Sequence, residues 1–394
     1  MYFYRVQNQL AASFLPDLPF EAAQPGTPAL FLVKRSSGPA VFRATQSHHL
    51  TQPPSVGWLT DGSPLDCPCT VVDLLHPRWR EALASPAPRA KKKRVHLLAV
   101  GDVGGTLLTA LKLLGGDCIS TIGIRDLNEQ TVERWVTEMG QIAWPWDGEA
   151  LPEVEAVPEE RLFDCDVFIF AATKAIPAVD SGVTDVRMAQ LAANRPLVEH
   201  FARQARSARF SGLFLVLSDP VDPLCKAAWL ASNTAPNGVR DGLGLLPEQV
   251  QGFGLGVMNA RAAYFAKKDP RFVSFLTEGR TFGPHGRGLV VANSIAHYDD
   301  ALSRELTERV ETANLRVRAL GFKPYVAPAV SSGAMQLLLT LRGSWHCGSI
   351  PLGEVWFGVK NRFTPQGLEA ETLPLPESLL ERLRETETLL KAIV

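Results

Sequence analysis

The chain has 394 residues, 46% of them hydrophobic and 21% charged, with a formal net charge of −1. That length points to two or three domains rather than one core. The near-neutral balance excludes an electrostatic case for nucleic acid or an anionic membrane surface as partner, and no apolar run approaches the roughly 20 residues of a membrane span.

The first 90 residues read as a small β-rich domain. Short aromatic or β-branched runs (Tyr2 to Val6, Ala29 to Val33, Ala40 to Ala44, Thr70 to Leu75) are separated by proline, glycine and serine. One helix is expected near Pro77 to Leu83. His48 and His49 are adjacent, and on a strand they would point to opposite faces, which argues against a metal site there. The six cysteines are scattered without paired metal-ligand spacing, so free thiols and no metal are expected. The opening MYFYRVQNQL lacks a basic-then-apolar leader, and the expected location is cytoplasmic. The basic cluster Arg89, Lys91, Lys92, Lys93, Arg94 falls in a stretch, Ala84 to Lys93, that reads as a solvated linker.

From Arg94 the texture changes to alternating strand and helix. Val95 to Val100 has strand length. Gly101, Gly104 and Gly105 follow as a tight turn, Thr106 to Leu114 as a helix, and Ile119 to Ile124 as a second strand ending in Arg125-Asp126. Strand, glycine turn, helix, strand and terminal acid form the dinucleotide-binding signature. Around Gly101, Asp102, Val103 and Gly104 the backbone can approach a pyrophosphate, which helix N–H groups would receive. Asp126 would accept from a ribose hydroxyl, favouring NAD over NADP, with Arg125 as the counter-signal. Read as GxGxxG, the motif has Ala99 at its first glycine.

Further buried strands are expected at Asp166 to Ala172 and Gly212 to Ser218, with helices at Asn128 to Gly140 and Met188 to Ser207. Buried strands separated by helices mean a parallel sheet wound on both faces, with ligands at the carboxyl ends of its strands. After about residue 245 the pattern is α+β. Residues 246 to 268 are partly helical, and helices are expected at Asp299 to Leu320, Ser331 to Thr340 and Glu377 to Ala392. The fold class is therefore α/β. It has a small β-rich N-terminal domain (1–90), a Rossmann-type doubly wound parallel sheet (91–245) and an α+β catalytic domain (246–394).

An ordered series of motifs over roughly residues 94 to 394 resembles the lactate/malate dehydrogenase family. DVFIFAA, with Ala171 and Ala172, is similar to the strand leading to that family's active-site loop. Arg187 stands seven residues before Asn194, and SDPVDP, with Ser218 and Asp219, resembles the family's SNPVD. Met258-Asn259-Ala260-Arg261 falls at the family's Asp-x-Ala-Arg, Gly283-Pro284-His285-Gly286 at its GEHG, and Asn293-Ser294 at the end of that segment. The resemblance implies NAD-dependent hydride transfer with a small-molecule 2-keto/2-hydroxy acid, and assembly as a homodimer or homotetramer. It implies His285 as acid/base, Arg261 as carboxylate clamp and Arg187 as the cation polarising the carbonyl. Ser331 and Ser332 would be substrate-wall contacts. Gly101, Asp102, Val103, Gly104, Asp126, Ala171, Ala172, Ser218 and Asp219 would line the cofactor.

The chemistry asks for the same residue types. Histidine exchanges protons near neutral pH, a guanidinium grips a carboxylate with two prongs, and a second cation offsets charge growing on the substrate oxygen. Two departures stand out. Met258 replaces the aspartate that would hold the histidine, and Asp219 replaces an asparagine. Asp219 is therefore expected to serve as the carboxylate partner of His285. The competing reading, favoured by Met258, is a non-catalytic NAD-binding or regulatory protein on the same fold.

Overall fold

The computed structural model of the protein describes residues 1–84, 92–174 and 186–394, without the side chains of 186 and 187. Arg89 and Lys91 of the expected linker, and 175–185 of the loop before Arg187, lie outside the described residues.

The N-terminal block contains β1 (Tyr2–Val6), β2 (Gln9–Ser13), β3 (Glu21–Ala22), β4 (Leu30–Val33), β5 (Val41–Gln46) and β6 (Pro64–Asp73), ordered β3-β1-β2-β4-β6-β5. Between β5 and β6 lies α1 (His48–Thr51), and after β6 comes α2 (Trp79–Ala84). His48 and His49 therefore sit on a helical turn, not the strand their neighbours suggested. His49 is buried, its Nε2 3.0 Å from the Trp58 carbonyl, and burial pushes its imidazole down to about 4.

The next segment winds a parallel sheet. Its parts are β7 (Lys93–Leu98), α3 (Asp102–Leu114), β8 (Ile119–Arg125), α4 (Glu129–Gly140) and β9 (Glu153–Ala156). They continue with β10 (Val167–Phe170), α5 (Val186–Ser207), β11 (Leu213–Val216), α6 (Val221–Ser232) and β12 (Val250–Gly252). The strand order β9-β8-β7-β10-β11-β12 is the Rossmann order 3-2-1-4-5-6. Alternation along the strands explains the two covered faces. Val95, Leu97, Val167, Ile169, Leu213 and Leu215 pack against α3 and α4; Leu98, Phe168, Phe170, Phe214 and Val216 pack against α5 and α6. Lys93, expected to end the linker, opens the first strand.

The remainder is α+β. It comprises α7 (Leu255–Ala266), α8 (Phe275–Glu278), the hairpin β13 (Arg280–Phe282) and β14 (Val290–Ala292), and α9 (Asp300–Ala319). A π-helical segment, Pro328–Ala334, runs into α10 (Met335–Leu341). Then come β15 (His346–Leu352), β16 (Val355–Thr364), β17 (Gly367–Ala370) and α11 (Glu377–Lys391). β15 pairs with β12, and β17 pairs with β5, so one 15-stranded sheet runs through all three regions.

The N-terminal block shares its core with the C-terminal region. Phe42, Trp58 and Leu59 pack in one cluster with Ile350, Phe357 and Leu379. Glu248 joins the block to the Rossmann unit by accepting hydrogen bonds from the amides of Ala40 (3.0 Å) and Val41 (3.2 Å). Burial pushes its carboxyl up to about 7. A cavity of about 440 Å3 at this junction is lined by Lys93, Asp166, Leu213 and Glu248. These residues begin or precede parallel strands, so the block sits at the amino ends of the sheet, opposite the glycine turn.

Candidate active site

The glycine turn is held by three contacts at Ala99 and Val100. Asp126 Oδ2 accepts from the Val100 amide (2.9 Å), Trp135 Nε1 donates to the Val100 carbonyl (3.0 Å), and the preceding Ala99 amide donates to Arg125 (2.7 Å). Ala99 has φ +74°, the left-handed conformation for which glycine is the usual residue, at a cost of about 1–2 kcal/mol. Helix α3 begins at Asp102, four residues before its expected start, so Gly104 and Gly105 lie in the helix rather than in the turn. Their smallness serves packing. A Cβ on Gly104 would stand 2.0 Å from the Ala99 carbonyl oxygen, and one on Gly105 would stand 2.2 Å from the Trp135 ring. Gly101, which caps α3, has nothing within 4 Å of its would-be Cβ. The first-turn amides of Asp102, Val103 and Gly104 lack intrahelical partners by geometry and adjoin this open approach, which suits a pyrophosphate. Asp102 itself pairs with Lys323 at 3.0 Å, both side chains exposed. Asp126 also accepts from the Asn128 amide at 3.2 Å. A carboxylate has about four lone-pair sites, so a ribose hydroxyl can still be received.

The carboxyl ends of β10 and β11 are tied together. Ser218 Oγ donates to the Ala172 carbonyl, and the Ala171 amide donates to Leu98. Asn194, fully buried on α5, donates from Nδ2 to the backbone carbonyl of Asp219 (2.9 Å) and accepts from the Lys174 amide (2.9 Å). It thereby joins the start of the segment after β10 to the turn between β11 and α6. The Asp219–Pro220 peptide is cis.

His285 sits half-buried in the loop between β13 and β14. Gly283 and Gly286 flank it with φ +83° and +127°, and a Cβ on Gly283 would meet the Gly288 carbonyl at 2.7 Å. Asp219 is the expected partner of His285; at Nδ1 the acceptor is instead the backbone carbonyl of Gly254 at 3.0 Å. A carbonyl only accepts, so Nδ1 carries a hydrogen, and in the neutral ring the lone pair falls on Nε2. Gly254 caps α7, and its missing Cβ makes room for the ring: one there would lie 2.8 Å from His285 Cβ and 3.0 Å from Val221 Cγ2. His285 thus adjoins the β11–α6 turn that carries Asp219.

Gly254, Met258 and Arg261 share one face of α7 by their spacing. Met258 is buried among Leu255, Val257, Ala262, Phe272 and Phe275, so the position of the expected aspartate is apolar core. Arg261 Nη1 lies 3.7 Å from Met258 Sδ and donates to the Val310 carbonyl of α9 at 3.3 Å. Ser332 departs from its expected place on the substrate wall. It is buried, its hydroxyl donating to the Gly254 carbonyl and accepting from the Val257 amide, each at 2.8 Å. Ser331 is half-buried, and its carbonyl accepts from Gln336. Arg187 lies in the first turn of α5, and its side chain is outside the described residues. Among the described residues no cluster of three or more His, Cys, Asp or Glu is arranged to hold a metal, and no helix is long and apolar enough to cross a membrane.

Sequence reasoning missed Gly254 and Trp135. A glycine directly before an apolar helix is a signal for the first. No local pattern marks the second, whose partners come from the turn after β7 and from α3.

No protein-family profile and no curated protein matches the sequence. Solved structures do match its fold. A lactate dehydrogenase, MGS-M5, from a Medee basin deep-sea metagenome library is 17% identical with a TM-score of 0.59, over 77% of this chain and 98% of that one. A minor L-lactate dehydrogenase from Enterococcus mundtii is 18% identical with a TM-score of 0.61, over 77% and 98%. A malate dehydrogenase from Archaeoglobus fulgidus, in complex with NADH, is 17% identical with a TM-score of 0.60, over 76% and 98%. The chain has the fold of the lactate and malate dehydrogenases: a Rossmann unit followed by an α+β unit, here with a β-rich N-terminal block.

Proposed function

We propose that the protein is an NAD-dependent oxidoreductase that transfers a hydride between nicotinamide and a 2-keto/2-hydroxy acid. The observation that carries this reading is His285. Its tautomer is set by Gly254, and it adjoins the carboxyl ends of a Rossmann sheet whose glycine turn opens on free space at Gly101. The fold likeness to a malate dehydrogenase in complex with NADH supports the cofactor.

When bound, the nicotinamide supplies or takes the hydride. The amides of Asp102, Val103 and Gly104 would hold the pyrophosphate and Asp126 the ribose. Ala171, Ala172, Ser218 and Asp219, at the ends of β10 and β11, would face the reacting half. In reduction, the imidazolium of His285 gives its Nε2 proton to the oxygen of the keto group as that carbon gains the hydride. In oxidation, neutral Nε2 takes the hydroxyl proton. Arg261 would grip the substrate carboxylate and Arg187 polarise the carbonyl. Assembly as a homodimer or homotetramer belongs to the same reading.

The test is NADH oxidation against pyruvate, oxaloacetate, and branched and aromatic keto acids, with NADH binding followed in the same samples. Turnover on one of them, abolished in His285→Ala while NADH binding persists, is the expected result. A second reading, a non-catalytic NAD-binding or regulatory protein, is favoured by the apolar burial of Met258. Tight NADH binding with no turnover across the panel would replace the first reading with the second.

A further inference from the structure

We propose that Gly254 and Ser332 do for His285 what a carboxylate does in an aspartate–histidine pair, and that Ser332 is a positioning residue setting the pH at which His285 gives up its proton. This inference rests on the reading of His285 as the acid/base. Its geometry is a closed chain of four groups. The Val257 amide donates to Ser332 Oγ (2.8 Å), and Ser332 Oγ donates to the Gly254 carbonyl (2.8 Å). The same carbonyl receives the Nδ1 hydrogen of His285 (3.0 Å). Because Ser332 Oγ accepts from the amide, its one hydrogen is committed to Gly254. As the cap of α7 the same carbonyl also accepts the first helical bond, from the Met258 amide, so Ser332 and His285 share an oxygen that is already engaged. Ser332 comes from the π-helical segment and Gly254 from the cap of α7, so the array also pins two elements around the ring.

The chemistry differs from that of a carboxylate in a definite direction. A neutral carbonyl fixes the tautomer but stabilises the imidazolium less than a negative charge would. Donation from Ser332 to the same oxygen weakens the carbonyl as an acceptor and points a positive dipole towards the ring. Removing the hydroxyl therefore favours the imidazolium on both counts. Among the described residues, the charged and titratable groups on the surrounding elements include Asp219 on the β11–α6 turn, Asp222 in the first turn of α6, Arg261 on α7 and Arg287 on the histidine loop. They set the absolute position of the titration and are common to wild type and variant.

Site-resolved modification by diethyl pyrocarbonate, read by peptide mass mapping of the full chain between about pH 5 and 8, follows proton loss from His285 without any turnover. In Ser332→Ala the inflection for His285 is expected to rise by about half a pH unit, the scale of part of one hydrogen bond. Ser332→Thr, which keeps the hydroxyl, should return it to the wild-type position. Ser332→Cys, close in volume and a weaker donor, should move it the same way as alanine and keeps the test readable if the alanine variant does not fold. An inflection that stays put or falls in the alanine or cysteine variant would overturn the proposal. Absence of turnover on every keto acid would instead sink the dehydrogenase reading and leave this titration intact.

Discussion

Replacing Gly104 and Gly101 by alanine, one at a time, separates the packing of the glycine turn from its service to a cofactor. In Gly104→Ala the new methyl would lie 2.0 Å from the Ala99 carbonyl oxygen and 2.9 Å from its carbon. Both are backbone atoms, and the next peptide is gripped by Asp126 and Trp135. Helix α3 must therefore move away from the end of β7. Overpacking of this kind costs about 1–3 kcal/mol, and alanine returns about 1 kcal/mol of helix propensity. A 2.0 Å contact with backbone belongs in the upper part of that range, about 2–3 kcal/mol, so the net expectation is a loss of about 1–2 kcal/mol of stability, accompanied by weaker NADH binding because the turn is displaced. In Gly101→Ala the methyl meets nothing within 4 Å, and φ −71° suits any residue. Stability should change by less than about 1 kcal/mol, the scale of a cap substitution. The methyl nevertheless stands where a pyrophosphate would approach, so the NADH dissociation constant should rise about tenfold or more, equivalent to roughly 1.4 kcal/mol. Urea unfolding followed by tryptophan fluorescence and NADH titration read the two effects separately. A Gly104→Ala protein as stable as wild type, or a Gly101→Ala protein that binds NADH as tightly, would refute the reasoning.

Two other substitutions probe the remaining parts. Arg261→Gln should raise KM for the keto acid about tenfold or more, the loss of a charge-assisted bond, while NADH affinity is retained; steady-state kinetics with KM unchanged would remove Arg261 from the site. Glu248 tests the junction with the N-terminal block. Its folded value of about 7 lies above the ordinary 4.5 of a glutamate. The native state therefore holds this proton more tightly, and the associated stability is complete below about 4.5 and lost as pH rises through 7. The span corresponds to about 3 kcal/mol. Glu248→Gln should flatten that fall in urea unfolding measured between about pH 5 and 8, and pH profiles that run parallel in the two proteins would exclude the assignment.

Much of the Rossmann unit was legible in the linear chain because its signals are local. Buried parallel strands read as unbroken apolar runs, as in DVFIFAA and GLFLVLS, since both faces are covered by helices. Asn128 and Asp299 announce helix starts because a side-chain oxygen caps the first turn within three residues. The order of Asp126, Arg187, Asp219, Arg261 and His285 could be read from the resemblance of short local motifs; Asp126, Arg187 and Asp219 stand at strand or helix ends, whereas Arg261 lies within α7 and His285 in the β13–β14 loop.

What the tertiary structure decided were the partnerships between distant segments. Gly104 and Gly105 read as turn residues, yet their bareness answers to the Ala99 carbonyl just past β7 and to an indole brought in from α4. Ser332 read as a substrate contact, but folding places it against a glycine 78 residues earlier in the chain. Asp219 read as the partner of His285, whereas the acceptor is a main-chain carbonyl. A carbonyl is carried by every residue, so no residue type could advertise it. Likewise, residues 1–90 showed short strands but not their address. Only the pairing of β5 with β17 and the amides given to Glu248 set that block at the amino ends of the sheet. Local periodicity and capping chemistry specify elements; which backbone dipole or apolar face meets which is settled only when burial brings them together.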